Sequence, residues 1–198
     1  MKKNLIIALL YTVITTVLLG IGYPLVVTAI AHVAFPKQAA GSLIYNAQGD
    51  LIGSHWIGQA FTGPTYFHNR PSAAGNGNGY DPTSSSGSNL APTSAALVTR
   101  VQQSVTTEQT AAQTTADVPV DLVTASASGL DPDITPAAAF FQAHRIAAQR
   151  GLSDDQVHAL VQAHLQQRQL GFLGEPRVNV LELNLALDQV TGQMGAKK

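Results

Sequence analysis

From Asn4 to Pro36 the chain carries no Asp, Glu, Lys or Arg, and this stretch limits what the rest can become. Leu5-Ile6-Ile7-Ala8-Leu9-Leu10 through Val17-Leu18-Leu19 is apolar at nearly every position, and the run continues through Tyr23-Pro24-Leu25-Val26-Val27 to Phe35. A segment with no polar face has nothing to turn towards water. A helix crosses a hydrocarbon core about 30 Å thick with about 20 apolar residues, so this one is long enough. Lipid offers no hydrogen bonds, which makes a helix the expected conformation. Pro24 removes one backbone donor and is expected to kink or end the helix near its far side.

The flanks set an expected orientation. Lys2 and Lys3 precede the run and only Lys37 closely follows it. Cytoplasmic flanks collect Lys and Arg, so the N-terminus is expected inside and the remainder outside. A cleaved leader is the competing reading, because Ala29-Ile30-Ala31 offers a small-x-small site. The apolar run far exceeds the roughly 7–15 residues of a leader's hydrophobic region, which favours a retained anchor.

The expected organisation is therefore an anchor, 1–35, followed by one extracytoplasmic soluble α+β domain, 36–198. The chain of 198 residues holds 11 Lys and Arg against 12 Asp and Glu, a net charge of −1, and the part after the anchor is slightly more acidic still. Nothing there would neutralise a phosphate backbone, which argues against nucleic acid as a partner. There is no Cys, hence no disulfide, no thiolate metal site and no thiol nucleophile.

Along the domain, Leu43-Ile44-Tyr45 and Leu51-Ile52-Gly53 flank Asn46-Ala47-Gln48-Gly49-Asp50 and read as a short hairpin. Trp56 to Phe61 extends the second strand or begins another. Thr93 is placed to cap a helix bearing Leu97, Val98, Val101 and Val105. Val118 to Thr124 fits a strand or one helical turn. Thr135 and Pro136 open a helix that Gly151 can close. Ser153, followed by Asp154 and Asp155, starts another. From Arg177 the apolar residues alternate, then change parity at Val180-Leu181. A strand giving way to another element is expected there, with 181–188 open between strand and helix.

Catalytic motifs are scarce. The six histidines form no HExxH pattern, and no GxSxG elbow occurs. Gly75-x-Gly77-x-Gly79 has neither the preceding buried strand nor the Lys-Ser/Thr ending of a phosphate loop. Ser128 and Asp131 could serve a membrane-tethered exported hydrolase, yet Ser-Gly-Leu-Asp-Pro suits a capped turn as well. Asp131 and Asp133 could pair or meet a cation. A released periplasmic binding module, cut after Ala31, is a third possibility.

Five stretches in order carry a resemblance: Gln59-Ala60-Phe61, Tyr66-Phe67-His68-Asn69-Arg70-Pro71-Ser72, Ser86-Gly87-Ser88-Asn89-Leu90, Val123 to Pro132 and Leu173 to Leu181. Together with the anchor, they resemble the C subunit of the Kdp potassium-transporting P-type ATPase. The resemblance implies a non-catalytic accessory subunit of a four-part potassium uptake pump. Its partners would be a channel-like potassium-translocating subunit, a P-type ATPase subunit, a small single-span subunit and membrane lipid. It also implies a plasma-membrane location with the domain on the outer side, and a role as catalytic chaperone raising the pump's affinity for ATP. ATP is thus implied for the complex, while no cofactor or metal is expected on this chain. Arg70, Ser88, Asn89, Ser128 and Asp131, on polar loops, are the expected partner-contact residues.

Overall fold

The computed structural model describes residues 1–46, 48–74 and 79–192. Its contacts divide the chain into two compact units, Met1–Ser54 and His55–Lys198.

In the first unit, Lys2–Ala34 is one continuous helix of 33 residues, long and apolar enough to cross a membrane. It comprises α1 (Lys2–Thr15), a π-helical segment (Thr16–Gly22) and α2 (Tyr23–Ala34). Its large apolar side chains, among them Leu5, Leu9, Leu19 and Leu25, are all exposed. Pro24 does not end the helix. It sits at the start of α2 directly after the π-helical segment. The wider turn relieves the clash between a proline ring and the preceding turn, so the chain runs on to Phe35. A short helix α3 (Pro36–Ala39) leads to an antiparallel hairpin, β1 (Leu43–Tyr45) and β2 (Leu51–Ser54). Asn46 ties the turn by accepting from the Gln48 and Asp50 amides at 3.0 and 2.7 Å. Ala47 lies outside the described residues.

The second unit is a mixed α/β body. It contains α4 (Ala95–Ala112), α5 (Val120–Val123), β3 (Asp133–Ile134), α6 (Pro136–Arg150), α7 (Asp154–Ala163), β4 (Leu165–Gln166), β5 (Arg177–Asn179) and α8 (Val180–Thr191). The three strands form an antiparallel sheet in the order β3-β5-β4. Helix α6 touches α4, α5, α7 and β5 and is the centre of the packing. The core joins Phe67, Leu122, Ile134, Ala143, Ile146, Val157, Val161, Val178, Val180, Leu183 and Leu187.

Local chemistry explains most boundaries. Thr135 accepts from the Ala138 amide and Pro136 follows, while Gly151 ends α6 at φ 67°. Ser153 and Gln156 form a reciprocal capping box on α7. Two sequence expectations need amending, and one reading left open is settled. Ser94, not Thr93, precedes α4. Trp56 to Phe61 lies outside the named strands, because the hairpin stops at Ser54. Residues 181–188 are helical: Asn179 accepts from the Glu182 amide, and Val180, Leu181, Leu183, Asn184 and Leu187 turn inward at helical spacing. Leu185, the leucine that makes the run look like an alternation, is only half-buried between those turns.

Among the described residues the segment Pro64–His68 pairs with no strand, and side chains hold most of its backbone. The Phe67 amide donates to Asn184 Oδ1 at 2.8 Å, and Asn184 Nδ2 returns a bond to the Phe67 carbonyl at 3.0 Å. Gln142 does the same for His68 at 2.7 and 3.1 Å. Arg145 donates to the carbonyls of Pro64 and Tyr66. Buried amides thus replace a missing strand, satisfying groups that would otherwise be buried unpaired.

His68 makes this strap sensitive to acid. Its Nε2 lies 2.9 Å from the Gly63 carbonyl, so that nitrogen carries the proton of a neutral ring. Burial, then the nearby Arg145 charge, lowers its pKa below the ordinary 6.5. The unfolded chain therefore takes up a proton before the folded one does. The stability contributed by the neutral ring is complete above 6.5 and is lost as pH falls from there through the lower folded value. Urea unfolding at pH 7.5 and 5.5 is expected to show that loss, and His68→Gln to reduce the difference between the two curves.

Candidate partner-binding surface

Loops 55–59, 69–74, 79–89 and 125–133 converge beside the edge strand β3. Ser126 donates its amide to the Pro71 carbonyl, and the Ala73 amide returns to the Ser126 carbonyl, both at 2.8 Å. Gly58 donates to the Leu130 carbonyl at 2.9 Å. The Tyr80 hydroxyl lies 3.1 Å from the Arg70 carbonyl and 3.0 Å from that of Asp131, so its one proton ties two loops. Burial is the main reason its pKa is pushed up to about 12, and it stays a neutral donor at any physiological pH.

Gly58 is where the loops come closest. A Cβ there would collide with the Asp131 carbonyl oxygen and the Tyr80 ring. Gly58→Ala is expected to destabilise the body by about 1–3 kcal/mol, the usual cost of overpacking, and tyrosine near-ultraviolet circular dichroism should report a disturbed Tyr80. Gly129, at φ 67°, is pressed against Asp81 in the same way.

Of the residues expected on this surface, Arg70 and Asp131 meet: Arg70 Nη1 donates to Asp131 Oδ2 at 3.1 Å. Ser128 sits three residues away on the same loop. Its hydroxyl accepts from the Leu130 amide at 3.1 Å and lies 3.4 Å from the Ser126 hydroxyl. Neither partner is a base that could activate it as a nucleophile. Ser88 and Asn89 are exposed on the neighbouring loop, Asn89 at φ 52°. That loop is held against residue 127, since Ser85 Oγ donates to the Ala127 carbonyl at 3.0 Å. The geometry therefore gathers Arg70, Asp131 and Ser128 and leaves Ser88 and Asn89 as an adjoining exposed rim. Residues 75–78 of the glycine-rich loop lie outside the described residues.

Asp133, which the sequence offered as a partner for Asp131 or a cation, takes a different partner, and Arg177, Asn179, His55 and Glu182 join it without having been among the expected contact residues. Asp133 pairs with Arg177, its Oδ2 lying 3.0 Å from Nε. Burial raises the Asp133 pKa, and Arg177 opposes that rise. Asn179 Nδ2 holds the His55 carbonyl at 2.8 Å, and His55 Nδ1 meets Glu182 Oε1 at 2.8 Å. The signal for Arg177 and Asn179 was present: Val178 points into the core, so its strand neighbours must face the other way. Asp131 and Asp133 each face their own arginine, so both carboxylates are partnered within the protein. Among the described residues, no group of three His, Asp or Glu could hold a metal ion. Bonds among side chains and backbone dominate this polar surface.

The sequence matches the family model described as "K+-transporting ATPase, c chain" over residues 5–189. It is 58% identical over 188 residues to the potassium-transporting ATPase KdpC subunit of Koribacter versatilis, covering 95% of each chain. The protein of the same name from Acidobacterium capsulatum is 59% identical over 183 residues, covering 92% of this chain and 96% of that one. That of Caulobacter vibrioides is 54% identical over 173 residues, covering 87% and 86%.

Proposed function

The chain belongs to the K+-transporting ATPase c-chain family, and on that basis we propose that it is a non-catalytic accessory subunit of an ATP-driven potassium uptake pump. The observation that carries this reading is a match over residues 5–189, which takes in most of the apolar helix and nearly all of the mixed body. The anchor, 1–35, lies in the plasma membrane with its N-terminus in the cytoplasm, and the domain, 36–198, stands outside. Lys2 and Lys3 support that sidedness.

The partners are a channel-like potassium-translocating subunit, a P-type ATPase subunit and a small single-span subunit. Arg70, Ser88, Asn89, Ser128 and Asp131 belong to the face that meets them. The chain acts as a catalytic chaperone that raises the ATPase subunit's affinity for ATP. With the body outside, that influence travels through protein contacts and the membrane helix, and cytoplasmic ATP stays with the ATPase subunit.

Co-purification from detergent tests the reading: the tagged full chain should bring down the other subunits in fixed ratio, and a chain that always elutes alone would contradict it. Protease added to intact spheroplasts should digest the body. Ser88→Arg places a long cation on the exposed rim without touching the core. It is expected to lower recovery of the partners several-fold while leaving the thermal midpoint unchanged.

A further inference from the structure

The π-helical segment Thr16–Gly22 leaves the Leu19 carbonyl without a donor from its own helix. At its end the Tyr23 amide donates to the Leu18 carbonyl, five residues back. The next residue is Pro24, which has no N–H to give. The Leu19 carbonyl therefore loses both its intrahelical donors: Tyr23, four residues on, is engaged elsewhere, and Pro24, five on, has none. Nearby hydroxyls do not compensate. Thr12 donates back to Ala8 at 2.9 Å and Thr15 to Tyr11 at 2.8 Å. Gly20 and Gly22 place no side chain beside the open carbonyl. At about 1.5 Å per residue, Leu19 lies about 25 Å from Lys2 and about 22 Å from Ala34, near the middle of a hydrocarbon core. Water and lipid head groups do not reach that depth in a lipid-facing helix, and acyl chains donate nothing.

We propose that the Leu19 carbonyl is a docking point for a hydrogen-bond donor, a hydroxyl, amide or indole N–H, on a transmembrane helix of a partner subunit. This rests on the reading of the chain as a pump subunit. It adds that the helix is recognised at one backbone atom, with Pro24 holding that atom open. Small neighbours let a partner helix come close enough to reach it. Pro24 thus gives up one internal bond so that an intersubunit bond can form.

The test is carbonyl ¹³C NMR of the full chain, labelled with [¹³C-carbonyl]Leu and [¹⁵N]Gly. Leu precedes Gly only at 19–20, 170–171 and 173–174, so three resonances are selected, and Leu19→Ile identifies the one of interest. Isolated in detergent, the Leu19 resonance should lie at the upfield position of an unbonded carbonyl. On assembly with unlabelled partner subunits it should move downfield. Pro24→Ala, which restores the missing N–H, should show the downfield position already in the isolated chain and should assemble several-fold less well. A chain that assembles while its Leu19 resonance stays put overturns the proposal and spares the subunit reading. So does a resonance that moves with the isolated chain's own concentration, which would make a second copy the donor's source. A chain that never assembles overturns both.

Discussion

Phe67→Ala is expected to lower the unfolding free energy by about 3–5 kcal/mol, the range for emptying a fully buried aromatic site. Phe67 is wholly buried and belongs to the core that α6, α7, β5 and α8 share. The loss should exceed that of an ordinary core residue, because the Phe67 amide and carbonyl are both held by one side chain, that of Asn184. If the ring no longer anchors the strap, the reciprocal bonds from Asn184 and Gln142 loosen with it. Phe67→Leu keeps most of the volume and should cost much less. Trp56, the single tryptophan, reports from the body, so its fluorescence during urea unfolding of the full chain in mild detergent gives the comparison.

Arg150→Met should cost a similar amount, by a different route. The Arg150 side chain is 1% exposed and its Nη1 lies 2.8 Å from Asp188 Oδ1. It also donates to the Thr65 carbonyl at 2.8 Å and to Thr191 Oγ1 at 3.0 Å, with its guanidinium 4.6 Å from the Tyr66 ring centre. One cation therefore joins the end of α6, the strap and α8. Removing it leaves the Asp188 carboxylate in a largely enclosed place with the Tyr66 hydroxyl, 3.2 Å away, as its one remaining side-chain donor among the described residues. Losing one member of a buried pair typically costs about 3–5 kcal/mol, most of it the orphaned charge. The double variant Arg150→Met with Asp188→Leu should accordingly recover part of what the single variant loses. Additive losses in that cycle would mean the pair is not coupled.

These two residues mark the boundary of what could be read before the fold was known. The caps at Thr135, Gly151 and Ser153 were legible because capping is decided within four residues. The helix-or-strand ambiguity at 181–188 arose because leucines at every second position fit a strand, and only the inward turn of Val180 and Asn184 resolves it. Pro24 was read from its chemistry alone, and a proline's effect depends on whether the helix around it can widen. The strap was hidden more deeply. Asn184 and Phe67 stand 117 residues apart and Gln142 and His68 stand 74 apart, and no local pattern announces that a glutamine or an asparagine will act as a strand. At the candidate surface, the Arg70–Asp131 pair joins two stretches that the resemblance had already singled out. Gly58 and Tyr80 escaped notice because their importance is one of close approach between loops, which composition does not encode.

The central claim is that this small chain makes a larger potassium pump work without reacting chemically itself. Its most direct test is potassium-stimulated ATP hydrolysis by the purified complex prepared with and without the chain. Hydrolysis should be lost in its absence and return when the full anchored chain is supplied. Full activity without the chain, or ATP hydrolysis by the chain alone, would contradict the claim.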